Sequence, residues 1–209
     1  MPTVVNITGP IATGATTLAV RLAESMSWER VLEADVEMAN PFLPLSRVEP
    51  TRYTFHNQVT FLCKSAEEHT RLLTTALPGK IYVQDFTPFE HTEVYAYVQY
   101  TFGHLSQDEY ELLLRLTKII EARYILPSVL LYRPLSRELL LQRVQQRGRG
   151  SELLVSFDFL DAIRQRFDVW IASWKRSPVI LVDEGIDVLN DPAAVHRLGM
   201  TIVEKLSRK

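Results

Sequence analysis

The loop at residues 9–17, which reads GPIATGATT, constrains the fold more than any other segment of this chain. It follows an apolar strand candidate at residues 4–8 and leads into residues 17–26, whose apolar side chains recur at helical spacing. A strand, a glycine-containing loop and a helix therefore follow one another directly, so the N-terminus of the helix faces the loop.

The same loop matches a phosphate-binding signature at every position except one. The signature G-x-x-x-x-G-K-[ST] works because backbone amides point at phosphate oxygens, the lysine neutralises the outer phosphates and the hydroxyl holds magnesium. Ala15 stands in place of the lysine, and the retained residues are Gly9, Gly14, Thr16 and the adjoining Thr17. Because amides and the helix dipole can hold an anion by themselves, we predict a phosphate-binding loop without its cation. The alternative is a Gly-Pro turn that binds no ligand.

Composition is that of one enzyme-sized domain over residues 1–209, with 46% hydrophobic residues and a net charge of −2. This balance gives no reason to expect nucleic acid or an anionic membrane as a partner. Cys63 is the only cysteine, which excludes a disulfide framework and a cysteine-based zinc cluster, and its apolar neighbours predict a buried structural thiol. The chain has neither a signal-peptide pattern at its start nor an apolar run long enough to span a bilayer, so we expect a cytoplasmic protein.

Short β-rich runs alternate with longer helical segments along the chain. This alternation predicts an α/β fold with a parallel sheet. The strand candidates are residues 4–8, 31–33, 81–85, 129–132 and 179–182, and the further helix candidates are residues 52–77, 88–102, 107–123, 136–147, 156–174 and 192–206. Ligands of such sheets lie at the carboxyl ends of the strands, so the loops after Thr8, Glu33, Asp85 and Tyr132 should share one cleft.

An arginine-rich segment at residues 143–152 (RVQQRGRGSE) forms a second candidate for phosphate binding. Arg143 and Arg147 are one helical turn apart and project from one face, while Gly148 and Gly150 loosen the chain that follows. This spacing suits a closing loop that brings guanidinium groups onto phosphates. The alternative is a solvated basic helix end, which the helix dipole would favour in any protein.

Together with the motifs at residues 40–45 (NPFLPL) and 52–61 (RYTFHNQVTF), these segments resemble the deoxynucleoside kinase family, especially its short bacterial members. The resemblance extends over nearly the whole chain. It implies a P-loop kinase fold with a five-stranded parallel sheet flanked by helices and an arginine-rich lid. It also implies transfer of the γ-phosphate of ATP to the 5′-hydroxyl of a deoxynucleoside, with ATP and Mg²⁺ as cofactors and a nucleoside or nucleotide as the small-molecule partner.

The resemblance assigns roles to individual residues. Arg143, Arg147, Arg149 and Glu152 match the lid pattern R-x-x-x-R-x-R-x-x-E, in which the arginines bind phosphates. Gln58 matches the glutamine that reads the nucleobase, with Phe55, Phe61 and Phe89 as candidate apolar walls. Asp85 matches the acid of the D/E-R-S motif and joins Thr16 as a candidate magnesium ligand.

Several positions depart from the family pattern. Phe86 replaces the arginine of D/E-R-S, and Asp35 stands at the position of the general-base glutamate, flanked by Glu33 and Glu37. On the nucleoside side, Arg47 falls at the position of the sugar-contacting tyrosine and becomes a candidate anion-binding residue. The usual arginine–aspartate pair near the base falls at Ser65 and His91, and Lys64 could replace part of the lost charge.

These matches and departures leave two classes of function open. In the first, the protein is a kinase of nucleosides or a related small alcohol. In the second, it is a kinase-fold protein that has lost catalysis and serves as a binding or regulatory subunit, because removing two cations removes much of what a protein contributes to phosphoryl transfer. Another P-loop kinase, such as a nucleotide or shikimate kinase, fits less well because NPFLPL and RYTFHNQ belong to the nucleoside pattern.

The helix candidates at residues 88–102 and 107–123 are rich in apolar and aromatic side chains. One face of each can pack on the sheet, and a second exposed face would form an interface. Together with the family resemblance this predicts a homodimer, or a heterodimer with an active paralogue. The alternative is a thick core within one chain.

Overall fold

A computed structural model describes residues 2–32, 39–147 and 155–207. Five parallel strands form one sheet in the order β2-β3-β1-β4-β5. The strands are β1 (Thr3–Thr8), β2 (Glu29–Val31), β3 (Ile81–Gln84), β4 (Val129–Tyr132) and β5 (Val179–Leu181). The predicted α/β fold with a five-stranded parallel sheet is therefore confirmed.

Helices connect the strands and cover both faces of the sheet. They are α1 (Ala15–Met26), α2 (Phe42–Val48), α3 (Pro50–Thr75), α5 (Gln107–Glu121), α6 (Arg137–Arg147), α7 (Phe157–Ser173) and α8 (Pro192–Ser207), together with the helical segment α4, which is formed by Pro88–Glu90, His91–Ala96 and Tyr97–Thr101. Among the described residues, no helix combines the length and apolar character needed to cross a membrane.

The central strand β1 determines where the site lies. Asn6 is in register with Gln84 of β3 on one side and with Leu130 of β4 on the other. Alternate residues of the sheet pack on opposite layers, because successive side chains of a strand point to opposite faces. One layer, from α1 and α8, packs on Val5 and Ile7, and the other, from α4 and α7, packs on Leu130 and Tyr132. The carboxyl ends of β1, β3 and β4 consequently meet at one edge.

Two local predictions were wrong. Strand β2 ends at Val31, where the prediction began it; this edge strand exposes Glu29 and Arg30 and buries only Val31, so it has little apolar pattern to predict it from. The helix predicted at residues 88–102 is present from Pro88 to Thr101, and it contains a π-helical turn at His91–Ala96 that was not predicted. Cys63 is exposed, because it lies next to the buried stripe of α3 that includes Phe61, Leu62 and Ser65 rather than on it.

Candidate functional site

The loop between β1 and α1 adopts a conformation that requires both of its glycines. A Cβ atom on Gly9 would lie 2.4 Å from the carbonyl oxygen of Arg133, which is closer than two such atoms can approach. Gly14 caps α1 with φ of 85°, in the left-handed region that glycine adopts without strain. Ala12 also has a positive φ, of 65°, at a modest energetic cost for a residue with a side chain. The conformation of the loop therefore depends on glycine at positions 9 and 14.

The N-terminus of α1 is open to an anion. No side chain caps it, and its first turn contains no acidic residue. Thr16 is exposed there and Thr17 is half-buried, whereas the Ala15 methyl packs against the core layer that includes Val5 and Leu18. A bare helix N-terminus carries partial positive charge and free N–H groups, so these residues fit a phosphate group.

Arg143 reaches the loop from α6. Its Nη1 donates to the carbonyl oxygen of Thr13 at 3.2 Å and to that of Ala12 at 3.5 Å. This contact places one predicted phosphate-binding arginine beside the loop. Arg147 ends α6, and Arg149 and Glu152 lie outside the described residues, so the lid pattern stays a prediction.

Two buried carboxyl groups lie near the carboxyl ends of β1 and β3. Asp85 follows β3 and is buried, and Glu90 is buried beside it in the first turn of α4. Glu90 accepts hydrogen bonds from Thr8 Oγ1 at 2.5 Å and from the Thr87 amide at 3.2 Å. Burial raises the pKa of Glu90 well above its ordinary value, and the nearby Asp85 raises it further, while the Thr8 and Thr87 hydrogen bonds oppose this. Asp85 therefore lies beside a second buried carboxyl group at the carboxyl end of β3, and its magnesium role with Thr16 stays a prediction.

Phe86 has a structural role in place of the absent arginine. Its side chain is fully buried and packs with Val4, Leu72 and Ile125 on the sheet, while its carbonyl accepts from Asn6 Nδ2 at 2.7 Å. The position has therefore become part of the core.

A cleft of about 530 Å³, part of it open to solvent, adjoins the loop at residues 9–17. It is lined by Ile11, Leu43, Arg47, Asn57, Gln58, Phe61, His91, Tyr95, Gln99, Phe159 and Ile163. Ile11 belongs to this loop, so the loop forms part of the wall of the cleft. Two predicted substrate-binding residues, Arg47 and Gln58, lie in this cleft together.

Gln58 stands out within the cleft because its side chain is 4% exposed and its Oε1 accepts no hydrogen bond from any described protein group. A buried acceptor without a partner is costly, and such groups occur where a ligand supplies the missing donor. By contrast, Asn57 Oδ1 accepts from Asn40 Nδ2 at 2.8 Å and Gln99 Oε1 pairs with His104 Nδ1 at 2.6 Å.

The π-helical turn carries two residues of the cleft wall, His91 and Tyr95. The His91 ring stacks on Phe61 at 4.9 Å between centroids, and burial lowers its pKa to about 3, so the imidazole is neutral at physiological pH. Ser65 is also buried, while Lys64 pairs with Glu67 on the outer surface of α3 at 2.7 Å. The charge of Lys64 is therefore directed away from the cleft.

Some predicted residues lie elsewhere. Phe89 is fully buried between Tyr124 and Trp174 and does not line the cleft, and Phe55 packs in a separate cluster with Leu62. Of the three proposed aromatic walls, Phe61 alone lines it. Asp35, with Glu33 and Glu37, lies outside the described residues.

Glu90 and Arg133 were not predicted as site residues from the sequence. The T-x-x-E spacing of Thr87 and Glu90 is a capping-box pattern that places a carboxylate in the first turn of a helix, and the structure contains that box. Arg133 directly follows β4 at the sheet edge where ligands bind. A basic residue directly after a predicted strand was the available signal.

Known proteins resemble this chain over nearly its full length. The profile of the family described as deoxynucleoside kinase matches residues 5–206. A deoxyadenosine/deoxycytidine kinase from Bacillus subtilis (strain 168) is 28% identical over 201 residues, which cover 93% of this chain and 89% of that one. A deoxyadenosine kinase from Dictyostelium discoideum is 26% identical over 180 residues, which cover 86% of this chain and 71% of that one.

The fold also has solved counterparts. The structure of deoxyadenosine kinase from M. mycoides, with the products dCMP and a flexible dCDP bound, superposes with a TM-score of 0.81 at 18% identity, covering 96% of this chain and 98% of that one. This similarity confirms the P-loop kinase fold. Since the family profile spans all but a few residues at each end, the chain belongs to the deoxynucleoside kinase family.

Proposed function

We propose that this protein transfers the γ-phosphoryl group of ATP to the 5′-hydroxyl of a deoxynucleoside. One observation carries the proposal: the cleft that contains Gln58 shares Ile11 with the phosphate loop. A nucleoside held at Gln58 would therefore lie beside the loop that binds the donor. Phosphoryl transfer depends mainly on such positioning of donor and acceptor.

Gln58 is the proposed reader of the base. Its amide can donate and accept at once, which suits the adjacent amino group and ring nitrogen of adenine or cytosine. The relatives named deoxyadenosine and deoxyadenosine/deoxycytidine kinases make deoxyadenosine and deoxycytidine the first candidates. Arg47, whose side chain is half-buried in the same cleft, is proposed to bind the sugar or an anion attached to it.

The donor side is proposed to hold ATP on the amides of Gly9, Gly14 and Thr17, with Arg143, Arg147 and Arg149 closing on the phosphates. Thr16 and Asp85 would hold Mg²⁺, which, when bound, offsets the negative charge of the phosphates. Asp35 is the proposed general base that accepts the proton of the 5′-hydroxyl.

We expect slow turnover. Ala15 and the buried Phe86 replace two cations, and losing one preorganised charge donor commonly lowers a rate by about 100- to 1,000-fold. The same observation favours a second candidate function, a kinase-fold subunit that binds a nucleoside without phosphorylating it. Phe86 in particular supports this candidate, because its position contributes to the core.

The test is to incubate the purified protein with labelled ATP, Mg²⁺ and each of the four deoxynucleosides, and to quantify the 5′-monophosphate. Slow product formation that disappears in the Gln58→Met variant supports the kinase and excludes a contaminating enzyme. Nucleoside binding without product supports the binding subunit. If neither a product nor nucleoside binding were detected, both proposed functions would be refuted.

We also propose that the protein forms a homodimer through α4 and α5, or a heterodimer with an active paralogue. Leu112, Leu114 and Ile119 of α5 are exposed, as is Phe102 next to α4. Exposed apolar residues on adjoining helices are typical of an interface. The cytoplasmic location stays a prediction.

A further inference from the structure

The cation missing from the phosphate loop has a candidate replacement on the neighbouring strand. Arg133 follows β4, and its backbone lies against the loop: its amide donates to the Thr8 carbonyl at 2.9 Å, and its carbonyl accepts from Thr13 Oγ1 at 2.8 Å. The side chain turns toward the start of α1. Its Nη1 lies 3.0 Å from the position that a Cβ atom on Gly14 would occupy.

The Arg133 guanidinium is nearly inaccessible and only partly satisfied. The residue is 4% exposed, and Nη2 donates to the Ile186 carbonyl at 2.9 Å. Its Nε is buried and makes no hydrogen bond to the described parts of the protein. An incompletely bonded buried cation is costly, which indicates that something other than the described protein groups completes its interactions.

The surroundings of Arg133 are positively charged. Arg143 lies close enough to lower the pKa of Arg133, although burial is the larger cause and the value falls to about 10. Asp187 acts in the opposite direction, yet its carboxylate is engaged by the amides of Leu189 and Asn190. Within residues 2–32, 39–147 and 155–207, no carboxylate forms an ion pair with either arginine.

Two guanidinium groups and an uncapped helix N-terminus therefore converge on Gly14. Like charges are held together at a cost, which an anion among them would offset. The Ala15 methyl packs into the core and contributes no charge here.

We propose that Arg133 binds the phosphate chain of the nucleotide and supplies the positive charge that a lysine at position 15 would otherwise provide. The inference rests on the proposed function in taking this loop as the nucleotide site. Arg133 would supply this charge from the end of β4, whereas a lysine at position 15 would supply it from the helix itself.

The test measures binding by calorimetry with two probes, MgATP and inorganic tripolyphosphate, so that it does not depend on turnover. Arg133→Met should weaken both probes by about 10- to 100-fold, as expected for the loss of a charge-assisted hydrogen bond. Adding Ala15→Lys to Arg133→Met should restore most of the affinity. Arg166→Met is the matched control, because Arg166 also donates to a backbone carbonyl, that of Glu93 at 2.8 Å, but on α7.

Unchanged affinity in a folded Arg133→Met variant, or a wild type that binds neither probe, would overturn the inference. If Arg133→Met does not fold, Ala15→Lys in the wild type decides instead. A gain in affinity below about tenfold supports a site that is already complete, and a gain of about tenfold or more overturns the inference because the site then lacks a cation. If the Arg133→Met variant keeps kinase activity and wild-type nucleotide affinity, the inference about Arg133 is refuted and the proposed kinase function is not. If probe binding depends on Arg133 but no turnover is detected, the proposed kinase function is refuted and the inference about Arg133 is not.

Discussion

Replacing Gln58 with methionine should stabilise the free protein and weaken nucleoside binding at the same time. In the free protein, the buried Oε1 of Gln58 has no partner among the described groups, and leaving such an acceptor unsatisfied costs about 1–3 kcal/mol. Methionine has nearly the same length and adds no polar group. Because 1 kcal/mol shifts the melting temperature of a chain of this size by about 2–4 °C, we expect a rise of at least about 2 °C.

The effect on binding should have the opposite sign. A nucleobase that pairs with the Gln58 amide satisfies the buried oxygen, and the methionine variant cannot form that pair. We expect the affinity for deoxyadenosine or deoxycytidine to fall by about 10- to 100-fold. Calorimetric unfolding without ligand and titration with each nucleoside measure the two effects separately.

Gln99 provides a matched control in the same cleft, because its Oε1 already pairs with His104. Gln99→Met should lower the free energy of unfolding by about 0.5–1.5 kcal/mol, since it removes a hydrogen bond that the folded protein makes. If Gln58→Met destabilised the free protein as Gln99→Met does, or kept the wild-type nucleoside affinity, the assignment of Gln58 as the base reader would be refuted.

Three further predictions concern the loop, the buried acid and the interface. Gly9→Ala should lower stability by about 1–3 kcal/mol and abolish MgATP binding, because the new Cβ would overlap the Arg133 carbonyl; wild-type denaturation and titration curves would contradict this. The free energy of unfolding should fall as pH rises from about 5 to about 8, because the folded protein holds a proton on Glu90 that the unfolded chain releases. In urea titrations across this pH range, the Glu90→Gln variant should show a flatter dependence of the unfolding free energy on pH. An equally steep slope in Glu90→Gln would assign the effect to another group. Light scattering should detect a dimer of the wild-type protein. The Ile119→Lys variant should dissociate this dimer without loss of stability, since Ile119 is 72% exposed in the single chain. A 24.0 kDa wild-type species at every concentration would exclude the homodimer.

The parts of the fold that were predicted correctly depend on local patterns. The strand before the loop, the glycines at positions 9 and 14 and the start of α1 follow from residue types within a few positions of one another. The capping box of Ser106 and Glu109 begins α5 where the apolar pattern predicts a helix. Even the shared edge of the cleft follows from a general rule for parallel sheets.

The features that were mispredicted or not predicted depend on distant neighbours. Cys63 has apolar residues beside it in sequence, but one position on a helix is a rotation of about 100°, and that rotation exposes it. The π-helical turn at His91–Ala96 has no distinctive composition, and it packs against α3, α5 and α7. Phe89 was a candidate apolar wall of the cleft, yet its ring lies between Tyr124 and Trp174.

By itself, the sequence determined the α/β architecture, the strand, loop and helix at residues 3–26 and the absence of a lysine at position 15, because strand, loop and helix signals are local and periodic. Only the tertiary structure decided what surrounds that loop. Arg133 is 118 residues from Ala15 along the chain, and the pairing of β4 with β1 brings the two together. Sheet order decides which distant strands become neighbours, and residue types within a few positions of one another do not determine that order.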